Sequence, residues 1–297
     1  MDGGIVSGVV AGGAGARSAR PPIGHRDPVW AWWSSPVALA RVAWLRVLVY
    51  PFIFVDVLWT TAWVRDHAHV PEALHRPLLL GRILDLPAPG SVLVPTLLVA
   101  LLASAAVAST GRLPRLAGGL VFALYLWWTL VAFGYGKVDH DRFAFLVALA
   151  VLPTVGRARL GDGQRSEAAG WAVRCVQVAV VATYFLSAVA KLRYAGPEWI
   201  TSTVLLRAVA RRGTALADPL TELPALLTAT QLGIVALELA SPLLLLQGRV
   251  RRIGVGLAAA FHLVTFATIR IIFLPHVVCL AAFLPLERLS LRRRPAS

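Results

Sequence analysis

The sequence is dominated by a succession of apolar runs, and these runs restrict the folds that the chain can adopt. A helix needs roughly 20 residues to cross the hydrocarbon of a bilayer. Runs near this length lie at 39–64, 91–109, 116–135, 171–192, 224–247 and 253–273, and shorter ones at 140–155 and 274–287. The runs at 253–273 and 274–287 are separate because one helix over 253–286 would be about 50 Å long, and Pro275 marks the break. The pattern predicts an all-α, polytopic transmembrane helix bundle of about eight spans, without a large soluble domain.

Composition agrees with a membrane protein and excludes several other classes. Of the 297 residues, 58% are hydrophobic and 15% are charged, and the mean hydropathy is +0.71. This hydrophobicity excludes intrinsic disorder, and the 2 cysteines exclude a disulfide scaffold. The formal net charge of +14 would suit a nucleic-acid binder, but the hydropathy would not. We therefore expect the lipid bilayer as a partner and no nucleic acid.

Basic residues in the loops predict how the chain lies in the membrane. If the N-terminus is cytoplasmic, short arginine-rich loops such as Gly248–Arg252 fall on the cytoplasmic side, where such an excess is usual. We therefore expect an integral, multi-pass protein of the plasma membrane with both termini in the cytoplasm. Residues 1–38 are expected to form a flexible basic cytoplasmic tail, residues 39–287 the transmembrane domain, and residues 288–297 a short basic cytoplasmic tail.

Three ionisable residues are candidate catalytic groups, because a charge inside a bilayer is costly and has to be explained. Lys191 ends an apolar stretch, and a lysine desolvated by apolar walls can be neutral and act as a general base. A lysine at a span end can also simply extend to the interface. His140 begins the fourth span on the same outer side, as an acid, base or hydrogen-bond donor or as an ordinary interfacial residue. His262, midway along the seventh span, is expected to face the bundle interior in a structural or functional role.

Other polar residues within the spans are expected to have structural roles. Glu238 would be paired with a cation, and Arg46, Arg174 and Arg270 are its possible partners. The sequence lacks the common motifs for nucleotide and metal binding, such as a phosphate-binding loop or a cysteine cluster. No metal site is expected.

Five segments, in order along the chain, resemble segments of a known family. They are Arg41 to Arg46, His140 with a following apolar run and Pro153, Tyr184–Leu192 followed by Trp199, Glu238 to Pro242, and Phe261-His262 followed by Phe283-Leu-Pro285. They resemble vitamin K-dependent gamma-glutamyl carboxylases and the wider group of HTTM (horizontally transferred transmembrane) domains. The resemblance covers about residues 39–287. Ala188 and Ser202 stand where the family has glycine, and both are still small.

The resemblance implies a chemistry for the three candidate residues. In the carboxylases, the lysine that matches Lys191 deprotonates vitamin K hydroquinone, and the histidine that matches His140 is implicated in stabilising the species formed. His262 also matches a family histidine, whose role is less defined. The resemblance thus implies a quinone or hydroquinone cofactor. The carboxylases carry a large extracytoplasmic domain after the bundle, so carboxylation of a protein would here require a protein partner that supplies such a domain.

Three functions are compatible with these expectations. The first is a carboxylase-like, quinol-oxidising membrane enzyme that acts on a quinol or another lipophilic small molecule, with Lys191 as the base. The second is a non-catalytic membrane scaffold that holds lipid or a partner, in which Lys191 and His140 are replaceable. A transporter is disfavoured because no inverted repeat or pair of broken helices is evident.

Overall fold

Helices make up most of the structure, a computed structural model that describes Met1, residues 27–136 and residues 138–291. The α-helices are α1 (Pro28–Ser34), α2 (Leu39–Val55), α3 (Leu79–Ile83), α4 (Leu93–Ser109), α5 (Pro114–Phe133), α6 (Phe143–Val151), α7 (Glu167–Ala195), α8 (Glu198–Thr201), α9 (Val204–Arg212), α10 (Pro224–Leu239), α11 (Arg249–Ile269), α12 (Leu274–Leu280) and α13 (Arg288–Leu291). Two short strands, β1 (Val37–Ala38) and β2 (Arg165–Ser166), pair antiparallel. They lie immediately before α2 and α7 and join the starts of these two helices.

Four described helices are long and apolar enough to cross a membrane. They are Leu39–Thr60, Pro114–Phe133, Glu167–Ala195 and Arg249–Ile269. Leu93–Ser109, Pro224–Leu239 and Leu274–Phe283 are apolar but shorter. The predicted all-α, apolar architecture is therefore confirmed, whereas helix length does not confirm about eight spans.

Proline ends one predicted span early and marks the start of another. The run at 140–155 forms only the nine residues of α6, with 3₁₀ turns before and after it. Pro153 lies in the second of these turns, and proline cannot continue a helical hydrogen-bond ladder. Helix α11 ends at Ile269 and α12 begins at Leu274, so the two helices are separate. Pro275 lies in the first turn of α12, where its missing N–H costs nothing, but it could not continue α11.

The protein core lies between α2, α4, α5, α6, α7 and α12. Trp128, Tyr50, Tyr125 and Phe145 are its largest fully buried side chains. The ring of Phe145 stands edge-on to the rings of Tyr125 and Phe52, with centroids 5.2 and 5.3 Å apart, an arrangement that aromatic pairs prefer.

Helix α11 lies at the edge of this bundle. In its most apolar window 17% of the residues are buried, against 44 to 56% in the other three long helices. Exposed apolar side chains such as Ile253, Leu263 and Val264 are the ones that a lipid environment would cover.

The structure also describes part of the predicted N-terminal tail, residues 1–38. Helix α1 begins after Asp27, whose side chain accepts a hydrogen bond from the Val29 N–H at 2.8 Å. Trp32 of α1 then lies against the guanidinium of Arg174 on α7. The segment next to the bundle is thus packed on it and is not a free tail. Residues 2–26, and residues 292–297 of the predicted C-terminal tail, lie outside the described residues.

Candidate functional site

A cavity of about 940 Å³ lies between α7, α9, α10, α11 and α12. Its wall is mostly apolar and includes Leu227, Ile234 and Leu257. Sites for small molecules are commonly about 300–1,000 Å³ in volume, with apolar walls and a few well-placed polar groups. Here two polar groups interrupt the wall, one around Lys191 and one around His262.

Lys191 is held at the cavity wall by a carboxylate and a hydroxyl. Its Nζ donates to Oε1 and Oε2 of Glu238, at 2.6 and 2.7 Å, and to Oγ of Ser187 at 2.7 Å. Ser187 lies one turn earlier on α7, a spacing that places two side chains on one helix face. The ring of Trp199 faces the ammonium at 5.3 Å, which stabilises a cation. The side chains of Lys191 and Glu238 are 21% and 7% exposed, so the ion pair is largely shielded from solvent.

This pairing corrects the predicted role of Glu238, which was expected to bind one of three arginines. Helices α7 and α10 pack side by side, and Ser187 also donates to Glu238 at 3.3 Å. Arg174 lies 17 residues before Lys191 on α7, about 25 Å along the helix axis. The partner of Glu238 is therefore the nearby lysine.

The three arginines have other surroundings. Arg46 is buried and donates at 2.6 and 2.7 Å to two backbone carbonyls, in and after the turn that follows α6. Arg174 is buried and donates to two backbone carbonyls at 3.1 Å. Arg270 is exposed and ends α11 in a left-handed conformation, with φ at 53°. Carbonyl oxygens, not carboxylates, accept the hydrogen bonds of the two buried guanidinium groups.

The second polar group in the cavity consists of Tyr184, His262 and His276. The Tyr184 hydroxyl and Nε2 of His262 are 2.6 Å apart. The His276 ring stands edge-on to Tyr184 at 4.5 Å and lies 5.5 Å from the His262 ring. Neither ring nitrogen of His276, nor Nδ1 of His262, has a hydrogen-bond partner among the described residues. Buried polar atoms in native proteins are nearly always bonded, so these unpaired nitrogens distinguish the two histidines from the rest of the cavity wall.

His140 reaches the same cavity from the 3₁₀ turn that precedes α6. The centroid of its ring is 6.4 Å from that of Phe273. The Phe273 ring in turn lies 5.3 Å from His262. One phenylalanine therefore separates the two predicted histidines.

A buried charge network fixes the turn that carries His140. Nη1 of Arg142, two residues further on, is 2.8 Å from both carboxylate oxygens of Asp56. The Tyr125 hydroxyl donates to the same carboxylate at 2.8 Å. Asp56 is fully buried at the start of a π-helical turn (Asp56–Thr60) that extends α2. This network ties the His140 turn to α2 and α5.

Lys191, His140 and His262, which come from three distant segments, thus line one cavity. Two further lining residues, His276 and Tyr184, were missed as site residues. His276 carries the same signal as His262, a histidine within an apolar run, and could have been found by it. The contact of Tyr184 joins residues 78 positions apart, and no local pattern indicates it.

Side chains that could hold a metal ion are not grouped in threes or more anywhere in the described part of the chain. The expectation of no metal stays a prediction.

The fold and the cavity define an integral membrane protein of apolar helices, with an ion pair and a histidine cluster facing one apolar cavity. The HTTM domain profile matches residues 36–287, most of the chain. The chain therefore belongs to the HTTM domain family, and its bundle is related to the membrane domain of the gamma-carboxylase family. No curated protein and no solved structure gives a significant match.

Proposed function

We propose that this protein is a membrane enzyme that removes a proton from a lipophilic, quinol-like small molecule, with Lys191 as the general base. The observation that carries the proposal is the Lys191–Glu238 pair on the wall of an apolar cavity of about 940 Å³. A general base has to come within about 2.6–3.2 Å of the atom that it deprotonates. Lys191 lines the cavity, so a hydroxyl of a bound molecule can approach its Nζ.

Glu238 gives the lysine a way to become a base. A protonated lysine cannot accept a proton, but Glu238 lies at hydrogen-bonding distance and can take one. Transfer from the ammonium to the carboxylate replaces two buried charges by two neutral groups, which low polarity favours. The free amine then accepts the substrate proton, and the new ammonium balances the negative oxygen. Ser187, bonded to both groups, keeps them aligned.

The residues of the cavity fit a hydroquinone. Leucine and phenylalanine side chains can cover its ring and tail, and Lys191 can contact one oxygen. His262 and His276, whose unbonded nitrogens were described above, can bond another polar atom of the hydroquinone. Both histidines contact Tyr184, which lies about 10 Å before Lys191 along α7. When bound, a hydroquinone would supply two hydroxyl protons and two electrons, with molecular oxygen as the electron acceptor. We assign His140 and His262 as auxiliary groups that stabilise the deprotonated oxygen.

Oxygen uptake by the purified protein in liposomes, with a reduced quinone added, tests this function. We expect uptake that depends on the quinol and falls at least about 100-fold in Lys191→Ala, the range for loss of a general base. Arg193→Ala is the matched control, because Arg193 is an exposed cation two residues further along α7. Uptake that no quinol stimulates, or that Lys191→Ala leaves unchanged, would refute the proposal.

A non-catalytic scaffold that binds lipid is the second candidate. The same ion pair favours it, because Lys191 and Glu238 satisfy each other and could simply join α7 to α10. This function predicts that His140→Ala leaves the phenotype unchanged, and that changes at Lys191 or Glu238 reduce function only as far as they destabilise the bundle. Cell-based complementation with folded variants separates the two functions.

We further propose that the chain crosses the plasma membrane about eight times with both termini in the cytoplasm. The supporting observations are the shorter apolar helices beside the four long ones and the arginine-rich loop Gly248–Arg252. Gly163→Cys and Ala215→Cys, both at exposed positions, test the orientation in a variant without natural cysteines. In intact cells an impermeant thiol reagent should label Ala215→Cys alone, and the reverse pattern would overturn the orientation.

A further inference from the structure

A second, polar cavity of about 200 Å³ lies at the opposite end of α7 from Lys191. Four arginines line it: Arg41, Arg165, Arg174 and Arg251. Within the described part of the chain, no aspartate or glutamate lines it. Glu287, outside the lining, is bonded to Arg41. The cavity therefore carries more positive charge than these contacts balance.

Helix starts add to this positive charge. Arg41 is the third residue of α2, Arg251 is the third residue of α11, and Arg165 lies in the strand just before α7. A helix N-terminus bears a partial positive charge and favours anions, while basic side chains are favoured at the opposite end. Arginines at helix starts are thus unfavourable by themselves; Glu287 offsets Arg41, and a bound anion would offset the others.

Arg174, which lines this cavity, has a buried donor that no described protein atom satisfies. Arg174 is 8% exposed, and its guanidinium carbon lies 5.2 Å from the centroid of the Trp32 ring. Nη1 donates to the carbonyls of Ser35 and Gly170, but the buried Nε has no hydrogen-bond partner among the described residues. Leaving a buried charged donor unbonded is costly. An acceptor supplied from outside the chain would satisfy it.

We propose that this cavity binds a phosphate dianion, either the terminal phosphate of a lipid headgroup or free inorganic phosphate. Arginine forks bind phosphate oxygens through pairs of charge-assisted hydrogen bonds, and a dianion suits the excess positive charge. A volume of about 200 Å³ equals that of about six water molecules, enough for one phosphate group. The orientation proposed above places the site at the cytoplasmic leaflet, where basic pockets between helices bind phosphorylated headgroups.

Binding to the full-length protein in neutral detergent micelles tests the proposal, with native mass spectrometry and thermal unfolding as readouts. The probes are phosphatidic acid, a monoester; phosphatidylglycerol, a diester with one charge; and inorganic phosphate. Arg165→Gln/Arg251→Gln removes two lining cations but keeps the buried Arg174. Arg207→Gln/Arg211→Gln removes the same charge from exposed positions on α9 and serves as the control. Arg165→Gln alone, at an exposed position, replaces the double variant if that variant does not fold.

We expect phosphatidic acid to stabilise the wild type and the control, and to bind at least about tenfold more weakly to Arg165→Gln/Arg251→Gln. Stabilisation by phosphatidic acid but not by inorganic phosphate assigns the site to a lipid headgroup, and stabilisation by both assigns it to phosphate itself. Three results would overturn the proposal: no binding of phosphatidic acid or of inorganic phosphate, equal affinity for phosphatidylglycerol, or an equal loss in the control variant.

Discussion

The ion pair between Lys191 and Glu238 allows a quantitative prediction of stability. Removing the cation, in Lys191→Met, leaves a carboxylate that is 7% exposed without its partner. Breaking a buried pair in this way costs about 3–5 kcal/mol, and we expect about 3 kcal/mol, since Ser187 still donates to Glu238 and protonation can neutralise it. The reverse change, Glu238→Gln, leaves a lysine that is 21% exposed. Because this lysine keeps Ser187 and Trp199, we expect a cost of about 1–2 kcal/mol.

The double variant Lys191→Met/Glu238→Gln distinguishes a coupled pair from two independent residues. It leaves no unpaired charge, so its cost should be about 1–2 kcal/mol, well below the sum of the two single changes. The coupling free energy is then about 3 kcal/mol, within the range for residues in direct contact.

Tryptophan fluorescence during unfolding by a denaturing detergent, in mixed micelles, gives the free energy of unfolding of all three variants. Arg193→Met is the control, an exposed cation on the same helix that should change stability by less than about 0.5 kcal/mol. If the single changes add to the double change within about 0.5 kcal/mol, the two residues are not coupled and the proposed proton exchange between them fails.

Three further predictions concern other parts of the bundle, each measured by thermal unfolding in micelles. Gly118→Ala would place a methyl group 2.7 Å from a proline ring carbon of the turn after α6 and should cost about 1–3 kcal/mol. Gly119→Ala meets nothing within 4 Å and should be neutral or stabilising, so equal effects would contradict the packing. Asp56→Asn leaves the buried Arg142 without its carboxylate partner and should cost about 3–5 kcal/mol. A loss below about 1 kcal/mol would mean that the network of Asp56, Tyr125 and Arg142 does not stabilise the fold. Glu287 lies beyond the last apolar helix. Burial raises the pKa of its carboxyl and the hydrogen bonds from Arg41 lower it, so that the pKa lies below 4.5. A carboxyl with a lowered pKa stabilises the fold at pH values above its pKa in the unfolded chain, and this stabilisation is lost as the pH falls through its pKa in the folded protein. Glu287→Gln should therefore destabilise the protein at pH 7 and match the wild type well below pH 4.5. A difference in stability that does not change with pH would contradict this.

Features that depend on a single stretch of sequence could be predicted. The helical, apolar architecture follows from run length and composition. The break between α11 and α12 follows from Pro275, because its effect is local. The shortness of α6 could have been anticipated from Pro153 in the same way.

Features that depend on which helices are neighbours could not be predicted from the residues alone. Nothing near Glu238 in the sequence indicates that α7 lies beside it, so an arginine was an equally reasonable partner. The sequence placed Lys191 and His140 on the same outer side, but no pattern in it indicated that these two residues and His262 line one cavity. The arginines of the polar cavity come from α2, β2, α7 and α11. From the sequence, these charges indicated the orientation in the membrane and, for Arg174, a possible ion pair, but no shared cavity.

The edge position of α11 has a practical consequence for handling the protein. This helix supplies His262 and one wall of the large cavity, yet only 17% of its apolar window is buried by protein. Acyl chains must provide the rest of its lateral support, and weakly packed elements are the first to open. Short-chain detergents should therefore damage the cavity before they unfold the remaining bundle, so the micelle assays described above call for a long-chain detergent.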